Sequence, residues 1–378
     1  MTVRPRHTAL LAVVAAATSL AVAACSPPAD DNTGSSGGGA DKAKTATSAQ
    51  DLGGMDALVT AAKKEGALNV IALPPDWANY GAIISAFGTK YGIKVTSAQP
   101  DASSADEISA ATRLKGQGSA PDVFDLGAAV ASANTAMFAP YKVATFDSVP
   151  ADLKDANGTW VNDYGGYMSV GYDSSKVPTP TSFADLLKPA YKGKVALNGD
   201  PTKAGAAFAG VQMASIASGG TAGDVAKGVD FFKQLKAAGN FIPVDPTPAT
   251  IASGQTPVVI DWDYLNAAQT AKVPTWKVYV PDNAVVAGYY VQAINKDAPH
   301  PAAARLWQEF LYSDEGQNLW LKGGARPVRF DDMKKAGTLD TAAAAALPAV
   351  TGTPVVPTAA DSDTAKAYLT KEWANAVG

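Results

Sequence analysis

The sequence predicts an α/β protein of two lobes joined by long crossing strands, with a ligand cleft between the lobes. Three observations carry this expectation. Short apolar, strand-like runs alternate with helical segments from Met55 onward, the pattern of a sheet with helices on both faces. Two runs, residues 164–172 and 287–294, are long, aromatic and broken by glycine, and each is suited to leave one lobe and enter the other. The chain has 378 residues, 47% hydrophobic and 17% charged, enough for two lobes of ordinary soluble composition.

The order of elements begins with a processing segment. Arg4 and Arg6 precede an apolar run over residues 9–24 that is too short to span a bilayer comfortably. Small residues lead from it into Cys25, the only cysteine in the sequence, so neither a disulfide framework nor CxxC chemistry is expected. This junction resembles the lipobox of bacterial lipoproteins. The resemblance implies that residues 1–24 are a signal peptide, that Cys25 is lipidated, and that the protein is anchored to the outer face of the bacterial cell membrane. Residues 25–52, rich in Pro, Ser, Gly, Asp and Thr, read as a flexible tether.

Lobe 1 is expected over 53–165 and 288–330. A helix from Met55 ends in Lys63-Lys64-Glu65-Gly66, cations and a glycine at the helix stop. Strands follow at residues 68–73, 93–96 and 122–126, with helices between them over 77–90 and 104–115 and after them over 129–138. This alternation predicts a mostly parallel sheet. Lobe 2 is expected over 166–287. It holds a short helix at 182–187, a strand ending at Leu197, and helices over 204–217 and 223–238. Asp200-Pro201-Thr202 has a helix-start signature,. The tail, 331–378, carries one late helix over 364–376 and is not assigned to either lobe.

The most informative stretch is Thr256-Pro-Val-Val-Ile-Asp-Trp-Asp-Tyr-Leu-Asn266. An apolar run bounded by Pro257 reads as a buried strand. Its carboxyl end, Asp261-Trp262-Asp263-Tyr264, is where an open α/β sheet delivers side chains to a ligand. Asp263 also fits a helix cap, and Trp262 also fits the core.

Composition excludes several classes. The formal net charge is −4 and no basic, aromatic-interleaved run is present, so nucleic acid is not an expected partner. The two histidines, His7 and His300, leave no basis for a His-based metal site or a Ser-His-Asp triad. A lipoprotein hydrolase could be built on Asp261 and Asp263, but neighbours on one strand are poorly placed to flank a scissile bond. No enzyme activity and no cofactor are expected.

Four stretches then resemble the extracellular solute-binding proteins of ATP-binding-cassette (ABC) importers, the group with polyamine-, ferric-ion-, thiamine- and aminoethylphosphonate-binding members. They are Ala62-Lys-Lys-Glu-Gly-Ala-Leu-Asn-Val70, Ser182-Phe-Ala-Asp-Leu-Leu-Lys-Pro-Ala-Tyr-Lys-Gly-Lys-Val195, Gly254-Gln-Thr-Pro-Val-Val-Ile260, and the run from Pro299 to Gln317 with Phe-Leu-Tyr-Ser-Asp-Glu-Gly-Gln at its end. The resemblance implies a type II periplasmic-binding-protein fold, a monomer that binds a small solute by hinge closure, and delivery to a membrane permease.

Within that group the chain most resembles the polyamine-like branch. Asp76-Trp77-Ala78-Asn79-Tyr80, Asp200 and Trp262 stand at places comparable to that branch's ligand residues. An acid with aromatic walls suits an ammonium, each ring face adding roughly 0.5–2 kcal/mol. The expected ligand contacts are Trp77, Tyr80, Asp200, Trp262, Asp263, Tyr264 and Tyr289. Asn79 stands where the branch carries a second acid, so one ammonium end is better supported than two. The alternatives are a ferric ion, which would use tyrosines such as Tyr264 or the pair Tyr289-Tyr290, and an anion such as a phosphonate at helix N-termini.

Overall fold

The computed structural model describes residues 38–378. The expected signal peptide, Cys25 and the first part of the tether lie outside the described residues. In chain order the helices and strands are α1 (Gly38–Thr45), α2 (Met55–Glu65), β1 (Ala67–Ile71), α3 (Tyr80–Tyr91), β2 (Lys94–Ala98), α4 (Ser104–Arg113), β3 (Val123–Gly127), α5 (Ala128–Ala133), β4 (Phe138–Ala139) and β5 (Val161–Asp173). They continue with β6 (Val195–Leu197), α6 (Gly205–Ala217), α7 (Ala226–Ala237), α8 (Pro248–Ser253), β7 (Val258–Trp262), α9 (Asp263–Ala268), β8 (Trp276–Tyr279) and β9 (Ala287–Asn295). The last are α10 (Pro301–Leu311), α11 (Asp314–Lys322), β10 (Arg326–Pro327), α12 (Phe330–Ala336), α13 (Thr341–Ala345) and α14 (Ala359–Val377).

The hinge is built on β5. Its first half pairs antiparallel with β9 and β10, and its second half pairs antiparallel with β7 and β8. β9 carries β3 and β4, while β7 carries β6. One thirteen-residue strand therefore belongs to both lobes. The expectation of a mostly parallel sheet is corrected: only β1–β2 and β6–β7 are parallel, because both crossing strands run against all their neighbours. The glycines that break the crossing strands are steric necessities. A Cβ on Gly165 would collide with the Gly288 carbonyl, and one on Gly288 with the Trp262 ring.

Local chemistry sets the element ends. Gly66, at φ 72°, closes α2 with its N–H on the Ala62 carbonyl, the left-handed stop glycine tolerates. Glu65, the last residue of α2, then accepts the Ala302 and Ala303 N–H groups at 3.0 and 2.8 Å. It thereby caps α10 and ties the first helix of lobe 1 to a late one. Ser103 and Asp106 form a capping box at the start of α4,.

Two expected boundaries shift. The expected tether reached residue 52, but Ala43, Ala46 and Ala49 are buried and the Arg305 guanidinium donates to the Lys44 and Ala46 carbonyls at 2.9 and 2.8 Å. The described part of that segment is thus docked on lobe 1. The tail, unassigned from sequence, touches both lobes. Helix α14 packs on α7 and on α5. Trp373 meets Phe232 edge-on at 5.2 Å, and Lys366 Nζ reaches the Ala129 carbonyl at 3.4 Å.

Candidate functional site

A cavity of about 520 Å³ lies between the two halves of the sheet. It is bordered by the carboxyl ends of β3 and β7, the loops after β1 and β6, and the start of α6, the position at which open α/β sheets bind ligands. The two lobes touch beside it. A Cβ on Gly127, at the end of β3, would sit 3.1 Å from the Gly205 Cα at the start of α6. Asp76 of lobe 1 also pairs with Lys272 of lobe 2 at 3.2 Å.

The lining is acidic. Lobe 1 contributes Asp76, Asp101, Asp106, Glu107 and Asp125; lobe 2 contributes Asp200, Asp245 and Asp261. Against these eight acids stands a single cationic lining residue, Lys203, itself 3.8 Å from Asp200. A cavity lined by one sign of charge raises the local concentration of the opposite ion.

Asp125 is the best-defined group in it. β3 is buried along its whole length, so this carboxylate enters the cavity from an apolar strand. Its Oδ2 accepts the Tyr80 hydroxyl at 2.8 Å and the Tyr164 hydroxyl at 3.1 Å. The proton directions follow from the inventory of donors. The indole N–H of Trp77 can only donate, and it donates to the Tyr164 oxygen at 2.7 Å. Tyr164 therefore gives its own proton to Asp125. Gln292 Nε2 likewise donates to the Tyr80 oxygen at 3.1 Å. Asp125 Oδ1 has no partner. Burial, close to Asp163, pushes the Asp125 carboxyl upward, and the two tyrosine hydrogen bonds oppose this.

Asp261 is its counterpart on lobe 2. Its Oδ2 accepts from Asn198 Nδ2 at 2.9 Å and its Oδ1 from the Trp262 N–H at 2.8 Å. Burial pushes it up to about 7. Both acids sit within buried strands, Asp125 at the middle of β3 and Asp261 one residue before the end of β7, and burial disfavours the charged form of each,.

The residues expected from sequence divide sharply. Trp77 and Asp200 line the cavity. Asp76 does not cap α3, which starts three residues past Trp77 after left-handed Ala78 and Asn79. Asp200 does not cap α6; its Oδ1 accepts the Thr202 N–H and hydroxyl in a local turn. Tyr80 is fully buried behind Asp125. Trp262, Asp263 and Tyr264 are buried in the hinge and outside the lining. Trp262 stacks on Tyr264 with centroids 6.4 Å apart and packs against Gly288. Asp263 is paired with Arg326 at 2.6 Å and accepts the Tyr167 and Tyr264 N–H groups, each at 3.0 Å. Burial still holds its carboxyl above the usual range, outweighing the guanidinium. Tyr289 is half-buried and also outside the lining.

Sequence reasoning missed Asp125 and Gln269 as site residues. The signal for Asp125 was present, an acid interrupting the buried run Val-Phe-Asp-Leu-Gly127 just as Asp261 interrupts its own. Gln269, beyond α9, carries no comparable signal.

Comparison with known proteins places these features. Residues 121–351, more than half of the chain, match the family model described as bacterial extracellular solute-binding protein. No curated protein matches the sequence. Among solved structures, the periplasmic binding protein P5PA is similar with a TM-score of 0.63 at 19% identity, covering 83% of this chain and 100% of its own. A periplasmic thiamin binding protein is similar with a TM-score of 0.62 at 19% identity, covering 82% and 96%. Iron-bound HitA from Pseudomonas aeruginosa is similar with a TM-score of 0.59 at 20% identity, covering 81% and 99%. These likenesses show the fold, the two-lobed type II architecture of periplasmic binding proteins.

Proposed function

Because the chain belongs to the bacterial extracellular solute-binding protein family, whose members are the solute-binding components of ABC importers, we propose that its cleft captures a small organic cation, an amine, for delivery to a membrane permease. The observation that carries this reading is the lining of eight acids against one lysine. The ligand sits between Asp125 and Asp261, one from each lobe. It favours the closed form because only there do both carboxylates reach it. Trp77 and Tyr290 supply the aromatic lining, and a ring face toward an ammonium adds roughly 0.5–2 kcal/mol.

The neighbours named for iron and thiamin are 20% and 19% identical to this chain, too distant to carry their ligands over to it. A ferric site of the kind expected from sequence would rest on tyrosines. Of Tyr264, Tyr289 and Tyr290, only Tyr290 borders the cavity. An anion would face the acids with Lys203 alone.

A thermal-shift panel on the purified protein tests the reading, with putrescine, spermidine, ferric citrate, aminoethylphosphonate and thiamine. A hundredfold excess over Kd stabilises by about 2.7 kcal/mol. The expected result is a raised midpoint with an amine. A shift with aminoethylphosphonate or ferric citrate and none with amines overturns it. The proposal extends to a monomeric protein outside the cytoplasm, held to the membrane through lipid on Cys25. Cys25→Ala is then expected to move the protein from the membrane pellet to the soluble fraction, and an unchanged distribution would remove the anchor.

A further inference from the structure

Two residues that border the cavity, one from each lobe, each carry a buried polar atom without a partner. One is Asp125 Oδ1 and the other is Gln269 Oε1. Their residues are only 7% and 8% exposed, so neither is an ordinary wetted surface group. Both are acceptors. For Asp125 this follows from the tyrosine pair that fills Oδ2. For Gln269 it follows from the other end of the amide, whose Nε2 donates to the Leu265 carbonyl at 3.3 Å. Turning the amide over would set oxygen against oxygen, so the free end is the carbonyl.

Neighbouring carboxylate oxygens already accept hydrogen bonds. Asp261 accepts from Asn198 and Trp262, and Glu107 Oε2 accepts the Asp125 N–H at 3.1 Å. A buried acceptor left unpaired is costly, and a ligand that brings the missing donor recovers that loss. A ligand that brings charge without a donor does not.

We infer that Asp125 Oδ1 and Gln269 Oε1 are the atoms by which the two lobes read the solute. The solute is therefore a protonated amine with N–H donors at one end and a second N–H or O–H donor at the other. Quaternary ammonium ions are rejected, since their methyl groups satisfy neither acceptor. Asp125 takes the ammonium, with Tyr80 and Tyr164 fixing its carboxylate and Trp77 and Gln292 fixing the tyrosines. Gln269 takes the second donor and closes lobe 2 onto it. This assignment rests on the amine reading and adds to it the requirement for donors.

The test is calorimetric titration of the purified protein at pH 8 with putrescine and with its fully N-methylated bis-quaternary counterpart. Putrescine is expected to bind at least about a hundredfold more tightly, in line with sites built to hydrogen-bond their substrate. Gln269→Leu is expected to weaken putrescine about tenfold or more and to leave the quaternary ion unaffected. Gln269→Glu is expected to tighten putrescine, a gain that misfolding cannot produce. Asp125→Asn is expected to remove putrescine binding while leaving the ligand-free thermal midpoint unchanged or higher. Equal affinity for the two ligands, or no effect of either Gln269 change, overturns the donor assignment and leaves the cation reading standing. Absence of binding by both cations overturns the two together.

Discussion

Closure brings two glycines into contact across the cleft, and filling that contact separates closing from binding. Gly127 lies in extended backbone at φ −61° and ψ 141°, which valine adopts readily. A Cβ there would stand 3.1 Å from the Gly205 Cα and 3.7 Å from Ser104 Oγ. Carbon atoms pack best at about 3.5–4.0 Å, so even the first added atom is too close, and the two methyl groups of Gly127→Val extend further. Overpacking of this kind costs about 1–3 kcal/mol. On the hinge-closure reading the cost falls on the closed form, the one in which Gly127 meets Gly205. A penalty of that size on the binding-competent state weakens affinity by about 5- to 150-fold. Gly127 does not border the main cavity, so the loss cannot come from direct contact with the ligand. The assay is calorimetric titration of Gly127→Val with putrescine, alongside the thermal midpoint of the ligand-free protein. The expected result is a raised Kd with an unchanged ligand-free midpoint. An unchanged Kd, or a fall in ligand-free stability of the same size, would refute closure through this contact.

Two further outcomes follow from the hinge and from burial. Asp263→Ala strands Arg326 and two backbone N–H groups that the carboxylate now satisfies. Denaturant unfolding should show a loss of about 3–5 kcal/mol with putrescine affinity intact; lost affinity with stability retained would return Asp263 to the ligand site. The ligand-free protein should gain stability as pH falls from 8 to 5. Asp125, Asp163, Glu107 and Asp261 are all raised in the fold by burial, and His300 is raised by Asp122. A group raised in the folded state binds its proton more tightly there, so its contribution is present at low pH and lost as pH rises through the folded value. A thermal midpoint that falls over that interval would contradict the burial of these acids.

The fold was legible where one physical signal dominated. The helix from Met55 and the strand before Gly127 follow hydrophobic period and end residues, and they stand where expected. Strand direction was not legible, because antiparallel pairing of β5 depends on which neighbours the chain brings to it from both lobes. The segment around Trp262 shows the same limit at the site. Successive strand residues point to opposite faces, so Asp261 enters the cavity while Trp262 turns into the hinge beneath Gly288. Sequence alone made the aromatic residue and Asp263 the better candidates. It held no record of Arg326, sixty-three residues further on, which draws Asp263 away from any ligand. Gln269 was invisible for a related reason: its importance lies in an amide oxygen left unpaired by tertiary packing.

The central claim is that acids of the cleft hold a cation between the lobes, and the pH dependence of affinity tests it by its sign. A cation favours the ionised carboxylates, so binding releases the protons that burial retains on Asp125 and Asp261. Putrescine titrated from pH 8.5 to 5.5 should bind at full strength above about 7, the value to which Asp261 is pushed. Affinity should then weaken on acidification, by up to about tenfold per pH unit for each carboxylate that must ionise. Affinity that is flat across this range, or that strengthens in acid, would contradict the account.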